Sequence, residues 1–382
     1  MLETPATPAP ANREGLILHR HERLLRALED SAFDALVLNP GPGMRYLTGL
    51  NFHLMERPTV LAFKIGHPPA IVLPEFEMSR LQALDFEIDP FPYTEDPATW
   101  GNAFKQMAHS RDLSASRIGV EPRSLRFLEL EFLRDAAPEA QFISAESTLA
   151  FLRARKDRAE VETMRAAVAA AQQALQATLP MIKPGITERD LSAELTVQLL
   201  KAGSEPEFPF APIIAFGPNS ASPHAVPTDR KLCECEPVLV DWGANVESYF
   251  SDLTRVFSYG PPSEEIARIA EICEEANRAA REVARPGIPA SDVDRAARAV
   301  IEQAGYGEYF THRTGHGLGL EGHEEPYIRS DNEQILESGM TFTIEPGIYL
   351  PGVGGVRIED DMVITDDGAE SLSTLPRNLV VL

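Results

Sequence analysis

The chain has 382 residues, 43% of them hydrophobic, with 58 acidic against 35 basic side chains and a formal charge of −23. That length exceeds one average domain and reads as two with a sizeable core. The negative balance argues against nucleic acid or an anionic membrane as partner, and no stretch approaches the about 18–20 apolar residues of a membrane span.

The opening segment, Met1-Leu-Glu-Thr-Pro-Ala-Thr-Pro-Ala-Pro10, lacks an apolar run after a basic start, so residues 1–14 are expected to be a flexible Pro/Ala tail. Residues 15–152 alternate between helical and strand-like segments: a helix over Leu16–Glu29, a strand at Asp34–Asn39, apolar runs at Thr59–Ile65 and Pro69–Leu73, the strand-like Ile118–Glu121, a helix near Leu125–Asp135, and then Gln141–Ser144. Such alternation predicts an α/β domain with a mixed sheet. It holds no clustered acids, histidines or thiols, which leaves it to shape a cleft or an oligomer contact. The charged run from Phe151 to Ala166 marks the junction and the first helix of a second domain, residues 153–382.

That second domain carries an internal echo. Lys183-Pro-Gly-Ile-Thr-Glu-Arg-Asp190 and Arg285-Pro-Gly-Ile-Pro-Ala-Ser-Asp292 lie 102 residues apart, each after a helix and opening another. Thr187 and Asp190 are expected to form a capping box in the first copy. The repeat suggests two αβ halves across a pseudo-twofold axis. The three cysteines give no disulfide framework, which fits a reducing cytoplasm, and Cys233-Glu-Cys235 lacks the spacing of a metal or redox pair.

The chemistry lies in two apolar hairpins. In Val238–Phe257 a turn over Asn245–Ser248 sets Asp241 opposite Asp252; in Met340–Glu359 a bend centred on Gly352 sets Glu345 opposite Glu359. Cross-strand partners have Cβ atoms about 4.5–5.5 Å apart, so each hairpin delivers a carboxylate pair. Taken singly, each acid reads as a solvated or turn carboxylate. Two pairs in hairpin register within apolar strands argue otherwise, because a buried unpaired carboxylate is costly. Between the hairpins, Gly-His-Gly at His316 would let the backbone run close to a bound ion, with His323 downstream and His224 on a turn upstream. Asp241, Asp252, His316, Glu345 and Glu359 thus form a hard ligand set. Two divalent cations balance its four charges, Mn2+ suiting the oxygen-rich set best and Co2+ or Zn2+ remaining alternatives.

Asp-Trp-Gly at Asp241, Ser-Asp-Leu-Thr-Arg at Asp252, Gly-His-Gly-Leu-Gly at His316, Ile-Glu-Pro-Gly at Glu345 and Gly-Val-Arg-Ile-Glu-Asp at Glu359 together resemble the pita-bread metallopeptidases. Asn-Ser-Ala-Ser-Pro-His224 and His323-Glu-Glu-Pro resemble the prolidase and aminopeptidase P branch. The resemblance covers residues 155–382 closely; the preceding domain is similar to that family's creatinase-like N-terminal domain in arrangement more than in motif.

The resemblance implies a dinuclear peptidase that hydrolyses the bond between Xaa and proline in small peptides with proline second. Dipeptides are the preferred substrate, with longer Xaa-Pro peptides and a non-catalytic peptide-binding module as alternatives. Water held between the metals would attack. Glu345 would serve as general base and then acid, and His224 and His323 would donate hydrogen bonds to the oxyanion or substrate. Arg357 would orient Glu359 or touch substrate, and Tyr349 is a weaker candidate. Some prolidases carry an arginine after His-Glu-x-Pro that is thought to meet a dipeptide's carboxylate; here Tyr327 stands there, with Arg329 two residues on. His312-Arg313 resembles bacterial prolidases. A cytoplasmic homo-oligomer, dimer or larger, is implied as well.

Overall fold

A computed structural model describes residues 13–382; the Pro/Ala tail lies outside the described residues except for Arg13 and Glu14, which already belong to the first helix. The chain divides into two compact units, one up to Arg153 and one from Ala154.

The first unit contains α1 (Arg13–Glu29), β1 (Ala35–Leu38), α2 (Pro42–Thr48), β2 (Val60–Lys64), β3 (Ala70–Pro74), β4 (Asp89–Tyr93), α3 (Pro97–Ser110), β5 (Arg117–Val120), α4 (Phe127–Ala136), β6 (Gln141–Ser144) and α5 (Glu146–Ala154). Its six strands form one mixed sheet in the order β4-β3-β2-β1-β5-β6, as expected for this unit. The sequence reading named no strand at β4, where Asp-Pro-Phe-Pro-Tyr carries two prolines. The structure puts it at the sheet edge, where a missing N–H is tolerated. Apolar side chains of β1, β2, β3 and β5 pack against Phe104 and Met107 of α3 and Leu133 of α4.

In the second unit α6 (Arg158–Thr178), α7 (Glu188–Lys201), β7 (Ile213–Phe216), β8 (Pro237–Trp242), β9 (Asn245–Val246), β10 (Tyr249–Phe250) and β11 (Leu253–Ser258) form one half. The other half is α8 (Glu264–Val283), α9 (Ala290–Gln303), β12 (Gly315–Gly317), β13 (Glu324–Ile328), β14 (Thr341–Ile344), β15 (Gly347–Leu350), β16 (Gly354–Arg357), β17 (Asp360–Ile364) and β18 (Ala369–Ser371); β19 (Val380–Val381) closes the sheet β19-β11-β8-β7. The second sheet runs β13-β12-β14-β17-β18. Buried faces of α8 and α9, among them Ile269, Cys273, Val293 and Ile301, cover a core shared with Phe342, Ile344 and Val356.

The echo in the sequence is an echo in hydrogen bonding. Gly185 N–H donates to Leu232 O at 2.9 Å and Leu232 N–H returns to Ile186 O at 2.9 Å; Gly287 N–H donates to Leu336 O at 2.9 Å and Leu336 N–H returns to Ile288 O at 2.8 Å. Both glycines hold positive φ, 92° and 87°, which an L side chain rarely adopts. The capping box expected at Thr187 is half formed. Its hydroxyl accepts from Asp190 N–H but donates to the Asp190 carboxylate at 2.7 Å, so that carboxylate does not serve the cap's backbone. A complete box instead opens α6, between Asp157 and Glu160.

The first hairpin departs from its expected register. Asp241 pairs with Thr254, and the turn is Glu247-Ser248 with φ of 47° and 72°. Both values are positive, as a two-residue type I′ turn requires. Moving the turn centre one residue along slides the pairing by two, which keeps every side chain on its expected face. The second hairpin keeps its register from Thr341↔Val363 through Ile344↔Asp360 to Gly347↔Arg357. The ladder opens between these stretches, at the Glu345 and Glu359 positions. There Glu345 N–H turns to Thr314 O at 2.8 Å and Glu359 N–H to Thr254 O at 3.2 Å.

Candidate metal centre

Each of the five acids and imidazoles is held by a neighbour that fixes its reach. Trp242 Nε1 donates to Ala171 O at 2.8 Å and ties the first hairpin to α6. Gly243 follows because a Cβ there would lie 2.0 Å from the Ser251 carbonyl oxygen. The glycines flanking His316 have a related cause, and it differs from the one expected. A Cβ on Gly315 would sit 1.8 Å from Thr343 O, and one on Gly317 would sit 2.4 Å from Glu325 O. Close approach to β14 and β13 is by itself enough to demand them.

Ligand atoms of Asp252, His316 and Glu359 lie within 4.8 Å of one another, all three residues buried. His316 Nε2 is 3.4 Å from Glu345 Oε1 and 3.7 Å from Asp252 Oδ2. Its Nδ1 faces Gly317 O at 3.1 Å; a carbonyl only accepts, so Nδ1 carries the proton and Nε2 keeps its lone pair for an ion. Asp252 N–H donates to Asp361 Oδ2 at 3.0 Å, Thr254 Oγ1 donates to Glu359 Oε2 at 2.6 Å, and Thr343 Oγ1 donates to Glu345 Oε1 at 3.3 Å.

Arg357 completes the set with a different partner from the expected Glu359. Its Nη2 donates to Asp241 Oδ2 at 2.5 Å, Nε to Thr254 Oγ1 at 3.1 Å and Nη1 to Tyr349 OH at 2.8 Å. Arg357 and Glu359 share a hydrogen-bond partner in Thr254 Oγ1, and the charge of Arg357 also lowers Glu359 across the gap, while the open ladder turns Glu359 toward β11. Tyr349 is more than packing, and it belongs to a directed chain. His312 Nδ1 donates to Arg313 O at 2.7 Å, so its Nε2 accepts from Tyr349 OH at 2.8 Å, and Tyr349 accepts from Arg357. Burial lowers the His312 imidazole to about 4, which keeps Nε2 an acceptor at neutral pH.

The electrostatics describe a pocket short of positive charge. Burial raises Asp241 despite Arg357 beside it. Burial and then the charge of Glu359 hold Asp252 well above its ordinary range, and burial and then Glu345 do the same to Glu359. Glu345 is pushed up by burial to about 7. Burial drives His316 well below 6.5, with His323 adding to the effect. Asp241 Oδ1 is buried and makes no hydrogen bond among the described residues. A neutral imidazole, four carboxylates and an orphaned carboxylate oxygen fit divalent cations with hard-ligand preference.

The remaining candidates lie at the rim. The His323 ring is 4.0 Å, centroid to centroid, from His316. Arg313 Nη2 donates to His323 Nδ1 at 3.5 Å, and because a guanidinium cannot accept, His323 is left with its proton on Nε2. His224 is exposed and follows the turn Gly217–Ala221, which Ser220 Oγ joins to Gly355 N–H at 2.8 Å. It is an electrostatic neighbour of Asp241, His312 and His323. Tyr327 is half-buried, and the Arg313 guanidinium lies over its ring at 4.6 Å from the centroid. Arg329 is exposed and paired with Asp331 at 3.0 Å. Sequence reasoning gave no role to His312, Arg313, Thr254 or Asp361; the first two were marked only by their place just before the Gly-His-Gly segment.

Residues 162–366 match the metallopeptidase family M24, and residues 20–155 match the creatinase/prolidase N-terminal domain. The chain belongs to metallopeptidase family M24. It is a metal-dependent peptidase with the creatinase-like and pita-bread domains of that family. Among solved structures, this M24 peptidase is similar to a dipeptidase from Pyrococcus horikoshii OT3, with a TM-score of 0.90, 35% identity, and 95% of this chain and 100% of that one covered. It is similar to dipeptidase PepE from Mycobacterium ulcerans, with a TM-score of 0.89, 35% identity and 97% and 99% covered. A recombinant prolidase from Thermococcus sibiricus gives a TM-score of 0.90 at 31% identity, with 98% and 100% covered. Among the described residues no helix is long and apolar enough to cross a membrane.

Proposed function

We propose that this M24 peptidase hydrolyses the Xaa-Pro bond of dipeptides, using two divalent ions, Mn2+ foremost, held by Asp241, Asp252, His316, Glu345 and Glu359. The observation that carries the dinuclear reading is the grouping of Asp252, His316 and Glu359 within 4.8 Å, with Glu345 3.4 Å from His316 and Asp241 presenting an unbonded oxygen. The likeness to chains called dipeptidase and prolidase supports the substrate class.

Bound ions would lower the pKa of a water and polarise the scissile carbonyl. Glu345 takes the water's proton and hands it to the proline nitrogen as the bond breaks. His323, with its Nε2 proton free, and His224 donate to the oxygen that gains charge. Arg357 fixes Asp241 by a buried, charge-assisted bond, and Tyr349 and His312 hold Arg357 in turn.

The test compares Ala-Pro, Ala-Pro-Gly and longer Xaa-Pro peptides on metal-loaded enzyme, with Glu345→Gln alongside. Ala-Pro is expected to be cleaved fastest, and Glu345→Gln to lose about 10²- to 10⁴-fold in kcat. Equal or faster cleavage of the longer peptides overturns the dipeptidase reading, and a turnover-competent Glu345→Gln overturns the assignment of the base.

A further inference from the structure

Glu188 opens α7 and is fully buried, yet the chemistry above makes no use of it. Its Oε1 accepts from Phe216 N–H at 2.8 Å and from Asn219 Nδ2 at 3.0 Å. Its Oε2 accepts from Thr228 N–H at 2.9 Å, from Thr228 Oγ1 at 2.6 Å and from Asn219 Nδ2 at 3.1 Å. Every one of these donors is neutral. Glu188 pairs with no lysine or arginine among the described residues; Arg230 lies within electrostatic reach but is bound to Glu236 at 2.8 Å. A buried carboxylate so placed is held by hydrogen bonds alone, and only a group that accepts at both oxygens can satisfy them.

Those donors lie on either side of His224. Phe216 ends β7 and Thr228 follows the histidine, so both stems of segment 217–227 meet on one side chain. The backbone of α7 supports the second stem, with Glu188 N–H donating to Arg230 O at 3.1 Å and Arg189 N–H to Thr228 O at 3.1 Å. Within the segment, Ser220 Oγ donates to Gly217 O at 2.6 Å, and Ala225 N–H donates to Ser222 O at 3.2 Å around the histidine itself. The His224 side chain is exposed and makes no hydrogen bond among the described residues. Its backbone alone therefore sets where the imidazole stands. In the other half Asp294 of α9 takes the N–H of Thr314 at 3.0 Å, two residues before His316, but there Arg298 neutralises the acid at 3.0 Å.

We propose that Glu188 is a positioning residue for His224: by pinning both stems of segment 217–227 it fixes the imidazole that donates to the developing oxyanion. The inference rests on the reading of His224 given above and extends it to a side chain that touches no substrate. A donor stabilises the transition state only when it stands about 2.7–3.1 Å from the place the oxyanion will occupy. A misplacement of about 1 Å can cost about 10²-fold in rate. Replacing Glu188 by glutamine keeps the volume but turns an amide NH2 toward groups that themselves donate. One stem, at Phe216 or at Thr228, then loses its acceptor and is left with an unmatched buried N–H.

The experiment is a double-mutant cycle on metal-loaded protein: kcat and KM for Ala-Pro are measured for the parent, Glu188→Gln, His224→Ala and the double variant. Amide hydrogen exchange over residues 217–227 reads the same segment without turnover. Glu188→Gln is expected to lose about 10-fold in kcat with KM little changed, and to lose nothing further once His224 is already alanine. Exchange should quicken across residues 217–227 and stay at the parent's rate in β8 and β11. Thr228→Val removes a single donor to the same carboxylate and carries the identical cycle, with a smaller loss, should Glu188→Gln fold poorly. An equal loss in both backgrounds, or faster exchange throughout residues 154–382, makes Glu188 a support of the fold and overturns the proposal, as does a Glu188→Gln with the parent's kcat beside an impaired His224→Ala. If His224→Ala turns over like the parent while Glu188→Gln still loosens residues 217–227 selectively, the oxyanion role of His224 falls and the positioning by Glu188 stands.

Discussion

A hydroxyl can decide whether an arginine serves a metal ligand or merely sits beside it. Tyr349 OH stands between Arg357 Nη1 and His312 Nε2, both at 2.8 Å, and all three groups are at least half-buried. Burial lifts the tyrosine well above its ordinary value, so it remains a neutral donor and acceptor throughout the working range. Tyr349→Phe keeps the ring and removes both bonds, leaving a buried guanidinium donor and an imidazole acceptor unmatched. The expected outcome is a loss of about 10- to 100-fold in kcat/KM or in metal affinity, with the circular dichroism spectrum unchanged. A variant within twofold of the parent would reduce the tyrosine to packing. The chain of bonds also orients the arginine away from Glu359: each of its three nitrogens already has a partner, Thr254, Tyr349 or Asp241.

At the scale of elements, what was readable depended on whether a turn announces itself. Gly352 holds φ of 77° within Pro-Gly-Val-Gly-Gly, and the hairpin around it has the register read from the sequence. Glu247 and Ser248 adopt positive φ without glycine, so the first hairpin was centred one residue too early. The alternation of faces survived, and Asp241 was therefore legible as inward-facing although its partner was not. Bonds that join distant elements leave no spacing to read: Thr254 to Glu359 spans 105 residues and Asp252 to Asp361 spans 109. The first unit has such bonds of its own, Tyr46 OH to Leu152 O across 106 residues among them. His21 on α1 sends Nε2 to the Leu47 carbonyl of α2 at 2.6 Å and lies edge-on to Phe63 at 5.1 Å and Phe86 at 4.7 Å. Burial lowers its pKa from 6.5. A folded value below the unfolded one means that the neutral ring contributes its full stability above about pH 6.5 and that this is lost as pH falls through the folded value. Melting temperature is accordingly expected to drop between pH 7.5 and 5.5, and His21→Gln, which keeps a neutral donor, to show a shallower drop. An unchanged slope in that variant would assign the pH dependence elsewhere.

Across the whole molecule, a formal charge of −23 meets a pocket that gathers five buried acids, Asp241, Asp252, Glu359, Asp360 and Asp361, with Glu345 beside them. Asp360 is neutralised internally, since Arg255 and Arg377 hold its carboxyl down at about 2 against the effect of burial. Among the described residues the proposed ligand carboxylates are hydrogen-bonded by one arginine, Arg357 on Asp241, and burial with mutual repulsion keeps them raised. Divalent ions held at the proposed site would therefore stabilise this half of the chain, because an ion that binds only the folded site stabilises it by mass action, by about 2.7 kcal/mol when the ion is at a hundred times its dissociation constant. Removing metal with a chelator is expected to lower the unfolding temperature of residues 154–382, and Mn2+ to restore it. The restoration should shrink as pH falls from 8 toward 5, since protons compete for the same oxygens and for His316 Nε2. Asp252→Asn, which removes a central ligand charge, should unfold at nearly the same temperature with and without Mn2+. A parent whose melting is indifferent to metal across that range would mean that the acids settle their repulsion by protonation alone, and that the centre is assembled without help from an ion.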